Sequence, residues 1–126
     1  MDNQIEENEL TGIIIGLSFK VHSAIGPGFP ERVYQNSLTM LLKQESVTYK
    51  QENPYNVVFK GIKVGNFRLD LVIKEKIIVE LKSVAGYLPK IVESQMVSYL
   101  KASGLRVGLI INFGNRSCEI KRVSHY

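Results

Sequence analysis

Residues 67–82 read F-R-L-D-L-V-I-K-E-K-I-I-V-E-L-K, and this stretch decides the fold of the chain. Two runs of β-branched and other apolar residues flank a charged break at residues 74–76, a pattern that predicts a tight β-hairpin. Three charged residues, Asp70, Glu80 and Lys82, interrupt the apolar runs. Because the strands of a buried hairpin should be apolar, these three side chains are the first candidates for a functional site.

The length of the connecting loop sets the register of this hairpin. A three-residue loop pairs Ile73 with Ile77 and sets Asp70 opposite Glu80, whereas a two-residue loop would offset them by one position. Strand side chains alternate between the two faces of a sheet. The alternation therefore also predicts that Leu69, Leu71 and Ile73 share one face of the sheet, and that Asp70 and Val72 share the other.

Two opposed carboxylates repel each other, so the Asp70–Glu80 pair needs a compensating charge. Lys82, two residues beyond Glu80 on the same face, is one candidate. In that case the charges would form a surface ion pair, which contributes little to stability. A divalent cation is the other candidate, because magnesium sites use one or two carboxylates together with waters and phosphate oxygens. The hairpin alone leaves both interpretations open.

Two helical pairs carry further candidates. The motif Gly28-x-x-Glu31-x-x-Tyr34 puts Glu31 and Tyr34 on one helical face. A structural explanation is also available, since a glutamate favours the first turn of a helix and the tyrosine would be core. Gln95 and Tyr99 share the face of a later helix, where a partly buried polar pair beside an apolar stripe is the structural explanation.

The rest of the chain predicts one α/β domain over residues 9–126. A break at Asn53-Pro54 separates the first two strands. The apolar run 105–113 is typical of a strand buried on both faces, although a homodimer contact explains it equally. The expected elements are a flexible N-terminus over 1–8, helices over 9–25 and 30–44, strands over 47–52, 55–60, 63–73 and 76–83, a helix from 89 or 90 to 102, and strands over 105–113 and 118–123.

Composition narrows the class of protein. A chain of 126 residues suits one hydrophobic core, and a net charge of +4 mildly favours polyanionic partners. The single cysteine, Cys118, rules out an internal disulfide and fits a reducing compartment. Residues 1–8 are acidic, unlike a signal peptide, and the apolar run at 13–15 is too short to cross a bilayer. We therefore expect a cytoplasmic protein without a membrane partner.

Five blocks of the chain resemble the GxxExxY family of the PD-(D/E)XK nuclease superfamily, over roughly residues 21–123. The blocks are GPGFPERVY at 26–34, FRLDLV at 67–72, VELKS at 79–83, QMVSYLK at 95–101 and GLRVGLIINF at 104–113. The resemblance implies a restriction-endonuclease-like fold, a single α/β domain whose mixed sheet is flanked by helices. The chain departs from the pattern at Leu69, where proline is common, and at Val92, where relatives often carry histidine.

The same resemblance implies a metal-dependent nuclease that hydrolyses phosphodiester bonds in DNA or RNA, with Mg²⁺ as the cofactor and Mn²⁺ as a substitute. A weak or inactive nuclease-fold module that binds nucleic acid or assembles with proteins is the alternative. The implied roles are metal ligation by Asp70, Glu80 and the Leu81 backbone carbonyl, direct or water-mediated metal contact by Glu31, catalysis by Lys82, and orientation of the lysine or the phosphate backbone by Gln95 and Tyr99.

Overall fold

The computed structural model describes residues 3–126, with side chains from residue 6 onward. Within that range the elements are α1 Asn3–Ile25, α2 Glu31–Gln44, β1 Tyr49–Phe59, β2 Ile62–Ile73, β3 Ile77–Lys82, α3 Lys90–Ser103, β4 Val107–Asn112 and β5 Glu119–Ser124. The strands form one sheet in the order β1-β2-β3-β4-β5. Strands β3 and β4 are parallel because α3 makes the crossover between them, and the other neighbours are antiparallel. The predicted α/β domain with a mixed, helix-flanked sheet is confirmed.

Helices cover both faces of the sheet. Helices α1 and α2 pack on one face through a cluster that includes Leu71, Val79 and Leu109, and α3 packs on the other through Ile78 and its neighbours. All residues of β4 are buried, as the apolar run predicted. None of the helices in the described part of the chain is long and apolar enough to cross a membrane.

The central hairpin closes through a tight turn at residues 74–76. Its first two residues have φ angles of 50° and 57°, and its last residue donates its N–H to the Ile73 carbonyl at 3.0 Å. This geometry matches the right-handed twist of the flanking strands. Ile73 therefore pairs with Ile77, as predicted, and the β2–β3 ladder ends at Leu71 opposite Val79.

Strand β1 runs without interruption, so the predicted break at Asn53-Pro54 is wrong. It lies at the edge of the sheet, where a missing backbone N–H is tolerated. Pro54 is paired with Arg68 of β2. The two short strands expected before the hairpin are therefore one, and three strands precede α3 instead of four.

The sequence predicted a flexible segment over residues 1–8. Residues 1 and 2 lie outside the described part, and the rest of the segment belongs to helix α1. The side chains of this segment reach the far end of the chain. Arg106 donates to both carboxylate oxygens of the buried Glu7, at 3.3 and 3.1 Å, and Arg122 donates to Asn8 at 2.7 Å. The start of α1 is thus attached to β4 and β5.

Candidate active site

The β2–β3 ladder opens beside the charged residues of the hairpin. Beyond its last pair, side chains replace the ladder bonds: the Asp70 N–H donates to Glu80 Oε1 at 3.2 Å, and the Leu81 N–H donates to Asp70 Oδ2 at 2.9 Å. Backbone donors therefore hold the two carboxylates side by side. The register predicted this neighbourhood correctly, but the two residues meet through side chains and do not form a ladder pair.

The ladder between β1 and β2 is irregular at Asp70. Opposite it on β1, Glu52 has a φ of 50°, a left-handed conformation that non-glycine residues seldom adopt, and the ladder skips this position. Leu69 packs with the cluster beneath α3, whereas Leu71 faces α1 and α2. The strict alternation that we predicted for Leu69 is therefore wrong: Leu69 and Leu71 lie on different faces of the sheet, on either side of the skipped ladder position.

Glu80 carries the most strongly perturbed carboxyl of the site. It is 9% exposed, and burial, followed by the neighbouring Asp70 charge, raises the pKa of Glu80 to about 8, with Lys82 opposing the shift. No ion pair among the described residues includes Lys82. The surface ion pair is thus the wrong interpretation, and among the described residues no cation lies within ion-pair distance of Asp70 or Glu80.

Side chains fix the loop that precedes α2, the helix that begins at Glu31. The Tyr34 hydroxyl donates to the Gly26 carbonyl at 2.6 Å and accepts the Phe29 N–H at 3.2 Å. The Ser83 hydroxyl, from the chain just after β3, donates to the Phe29 carbonyl at 2.6 Å. The tyrosine is therefore both a core residue and the anchor of this loop, so its position in the motif has a structural reason.

The charges of the hairpin act on the Glu31 carboxyl. Partial desolvation raises the pKa of the Glu31 carboxyl, Lys82 lowers it, and the Asp70 charge raises it again. Even so, within residues 3–126 no three His, Cys, Asp or Glu side chains gather closely enough to form a metal centre by themselves. The Glu31 side chain is exposed, and its contact with the Asp70–Glu80 pair stays a prediction.

Helix α3 contributes Tyr99 to the other side of the site. Its ring stacks on Phe67 of β2, with ring centroids 4.7 Å apart, and Phe67 stacks in turn on Tyr55 of β1 at 5.8 Å. Burial raises the pKa of the Tyr99 hydroxyl, and the charges of Glu80 and Asp70 raise it further. The stack thus joins α3 to the hairpin within electrostatic reach of both carboxylates.

The remaining positions of α3 are less engaged. Gln95 lies one turn before Tyr99 and is exposed, and none of the hydrogen bonds found among the described side chains involves it. Its role therefore stays a prediction. Val92, where relatives often carry histidine, is half-buried and packs against the core beneath α3. The chain uses this position for packing.

Two asparagines fix the chain after Lys82, and the sequence did not reveal either of them. The Asn112 amide accepts the Val84 N–H at 2.9 Å and donates to the Val84 carbonyl at 3.0 Å, and Asn115 does the same with Gly86 at 2.7 and 2.8 Å. Each side-chain amide thus makes the two backbone hydrogen bonds that a residue of a neighbouring strand would make. Asn112 could have been noticed in the sequence, because it is a polar residue at the end of the apolar β4 run. Nothing in the neighbouring sequence marks Asn115.

Comparisons with known proteins identify the family of the chain and support its fold. A sequence profile described as the PD-(D/E)XK nuclease superfamily matches residues 8–123, and no curated protein sequence matches the chain significantly. The crystal structure of SSO0001 aligns with a TM-score of 0.59 at 20% identity, over 75% of this chain and 49% of that one, so this chain spans about half its length. This likeness concerns the fold alone, and it supports the restriction-endonuclease-like class. Because the profile covers almost the whole domain, the chain belongs to the PD-(D/E)XK nuclease superfamily.

Proposed function

We propose that the protein is a metal-dependent nuclease of the GxxExxY type that hydrolyses phosphodiester bonds. Membership of a nuclease superfamily implies a nucleic-acid substrate and a divalent metal. The observation that carries the proposal is the Asp70–Glu80 pair: backbone donors hold a buried carboxyl against a second one, and none of the ion pairs among the described residues brings a cation to it. Sheets accept such a pair where a cation offsets the repulsion.

The oxygen atoms at the ladder opening fit Mg²⁺ or Mn²⁺. Asp70 and Glu80 each use one carboxylate oxygen for a backbone N–H and retain the other. The N–H and C=O of a strand residue point to the same edge, so the Leu81 carbonyl lies on the side of its N–H, which meets Asp70. Glu31 would then contact the cation through water. When bound, such a cation stabilises charge on the phosphate and lowers the pKa of an attacking water.

Lys82 supplies the positive charge that belongs to the chain itself. Its ammonium acts on the carboxyls of both Glu80 and Glu31, yet no close ion pair among the described residues holds it. It can therefore meet the negative charge that develops on a phosphate during hydrolysis. Tyr99 and Gln95, on the facing side of α3, would orient the phosphate backbone beside it.

A cleavage assay with matched lysine variants tests the proposal. Single- and double-stranded DNA and RNA are incubated with Mg²⁺ or Mn²⁺, with chelator as the blank. We expect Lys82→Ala to lose about two orders of magnitude or more in rate, the range seen when a group that stabilises transition-state charge is removed. Lys101→Ala removes an equal charge from the exposed end of α3 and should cleave like the wild type. Equal loss in both variants would assign Lys82 a general electrostatic role only.

A binding measurement separates an active enzyme from an inactive module. Calorimetry with Mn²⁺ should show one site that Asp70→Asn and Glu80→Gln each weaken, since each removes one of two carboxylates. Wild-type protein that binds nucleic acid, does not bind Mn²⁺ and does not cleave would instead identify a nuclease-fold binding module.

A further inference from the structure

Residues 54–68, which we call the ribbon, extend beyond the active site as two strands joined by a tight turn. Here β2 pairs with β1, and it joins β3 only from Leu71 onward, so the ribbon has no third strand within the described chain. An isolated two-stranded ribbon is marginally stable in water. The stack of Tyr55 and Phe67 on Tyr99 anchors its base to α3.

The tip of the ribbon is apolar and exposed. Its large apolar side chains are Val57, Val58, Phe59, Ile62 and Val64, with exposed fractions from 37% to 68%. Phe59 and Ile62 pair across the turn, and the Lys60 ammonium lies 5.6 Å from the centre of the Phe59 ring. A contiguous apolar patch of this kind on a surface marks a contact site for another molecule.

The charged side chains of the ribbon are all basic. It carries Lys60, Lys63 and Arg68, and no acidic residue lies between Glu52 and Asp70. All three cations are exposed, and none of the ion pairs in the described part of the chain uses them. The ribbon is therefore complementary in charge to a polyanion, and apolar side chains at its tip suit the faces of nucleic-acid bases.

We propose that the ribbon is a nucleic-acid arm of the nuclease site. Its basic side chains bind phosphates, and Phe59 and Ile62 pack against bases that are unstacked or splayed out. Strand β2 joins this tip to Asp70 directly. At about 3.3 Å per residue, the distance from Ile62 to Asp70 is roughly 26 Å, the length of about eight stacked nucleotides. The arm therefore favours substrates that extend about eight nucleotides or more to one side of the cut. This inference rests on the proposed function, which supplies the substrate class.

Binding in chelator tests the arm independently of cleavage. Fluorescence anisotropy with labelled 6-, 12- and 24-nucleotide DNA is measured across a salt series. We expect the double variant Lys60→Gln/Lys63→Gln to bind the longer strands about tenfold or more weakly, with a salt slope reduced by about 1.5. The double variant Lys43→Gln/Lys101→Gln removes the same charge from α2 and α3 and is the matched control. Equal losses of DNA affinity in the two double variants would refute the proposal that the ribbon is a nucleic-acid arm.

The apolar tip has its own variant, Phe59→Ser/Ile62→Ser. We expect weaker binding of the longer strands with an almost unchanged salt slope, since no charge is removed. A tip variant that binds DNA like the wild type, but that turns a wild-type dimer into a monomer in sedimentation equilibrium, overturns the arm and identifies a contact between two copies of the chain. Circular dichroism verifies that each variant is folded.

The two proposals fail in different ways. Binding that depends on the ribbon, in a wild-type protein that cleaves nothing with Mn²⁺, refutes the nuclease proposal and supports the arm as a binding device. Metal-dependent cleavage by the wild type, together with ribbon variants that bind every length as tightly, refutes the arm and supports the nuclease.

Discussion

Replacing Glu80 by glutamine should stabilise the protein in alkaline, metal-free buffer. Burial and the Asp70 charge raise the pKa of Glu80 from 4.5 to about 8. Between those values the folded state retains a proton that the unfolded state has lost, so the contribution of Glu80 to stability is present below pH 4.5 and is lost as the pH rises towards 8. From about pH 5 to about pH 9, this loss amounts to roughly 4 kcal/mol in the unfolding free energy.

The glutamine variant should not suffer this loss. Its carbonyl oxygen can still accept the Asp70 N–H, while the ionisable group is gone. Urea unfolding followed by circular dichroism, from about pH 5 to about pH 9 in chelator, gives the two unfolding free energies as a function of pH. Glu9→Gln, an exposed position on α1, controls for the change in net charge. Mn²⁺ should stabilise the wild type at high pH much more than it stabilises the variant. Parallel pH profiles for wild type and Glu80→Gln would refute the account of a carboxyl held against its neighbour.

Two further substitutions test how the site is supported. A Cβ atom at Gly114 would clash with the Val84 backbone, so Gly114→Ala should lower the unfolding free energy by about 2 kcal/mol. Gly16→Ala is the control, because a Cβ atom at this position of α1 meets open space. It should leave the unfolding free energy unchanged or raise it by up to about 1 kcal/mol. Thermal melts compare them, and equal effects would contradict the steric explanation. Tyr34→Phe keeps the ring but frees the loop before Glu31; we expect a stability loss of about 1–2 kcal/mol and slower cleavage in the assay above, and an unchanged rate would show that the loop does not need this anchor.

The hairpin was predictable because its determinants are local. Loop length, the period of two and the charges at Asp70 and Glu80 together fix the register, and each of them lies within sixteen residues of continuous sequence. The end of α3 was predictable for a similar reason: Gly104 has a φ of 77°, the left-handed conformation that a glycine adopts easily at a helix end.

The features that the sequence did not reveal depend on distant partners. The continuity of β1 across Pro54 depends on its place at the sheet edge, which only the assembled order of strands determines. The skipped ladder position at Asp70 involves Glu52 on the neighbouring strand. The hold of Asn112 on the chain after Lys82 joins residues that are 28 positions apart. A pattern of hydrophobicity along the chain contains no information about such pairings.

The attachment of α1 to β4 and β5 bears on the order in which the chain folds during its synthesis. Glu7 and Arg106 are 99 positions apart, and Asn8 and Arg122 are 114 apart. At about 5–20 residues per second, the first turns of α1 wait roughly 5–20 s for these partners to be made. During that time the apolar side of the helix, including Ile14, can be covered only by α2 and the first strands or by a chaperone. Helix α1 is therefore made well before β4 and β5, yet it is among the last elements to reach its final position.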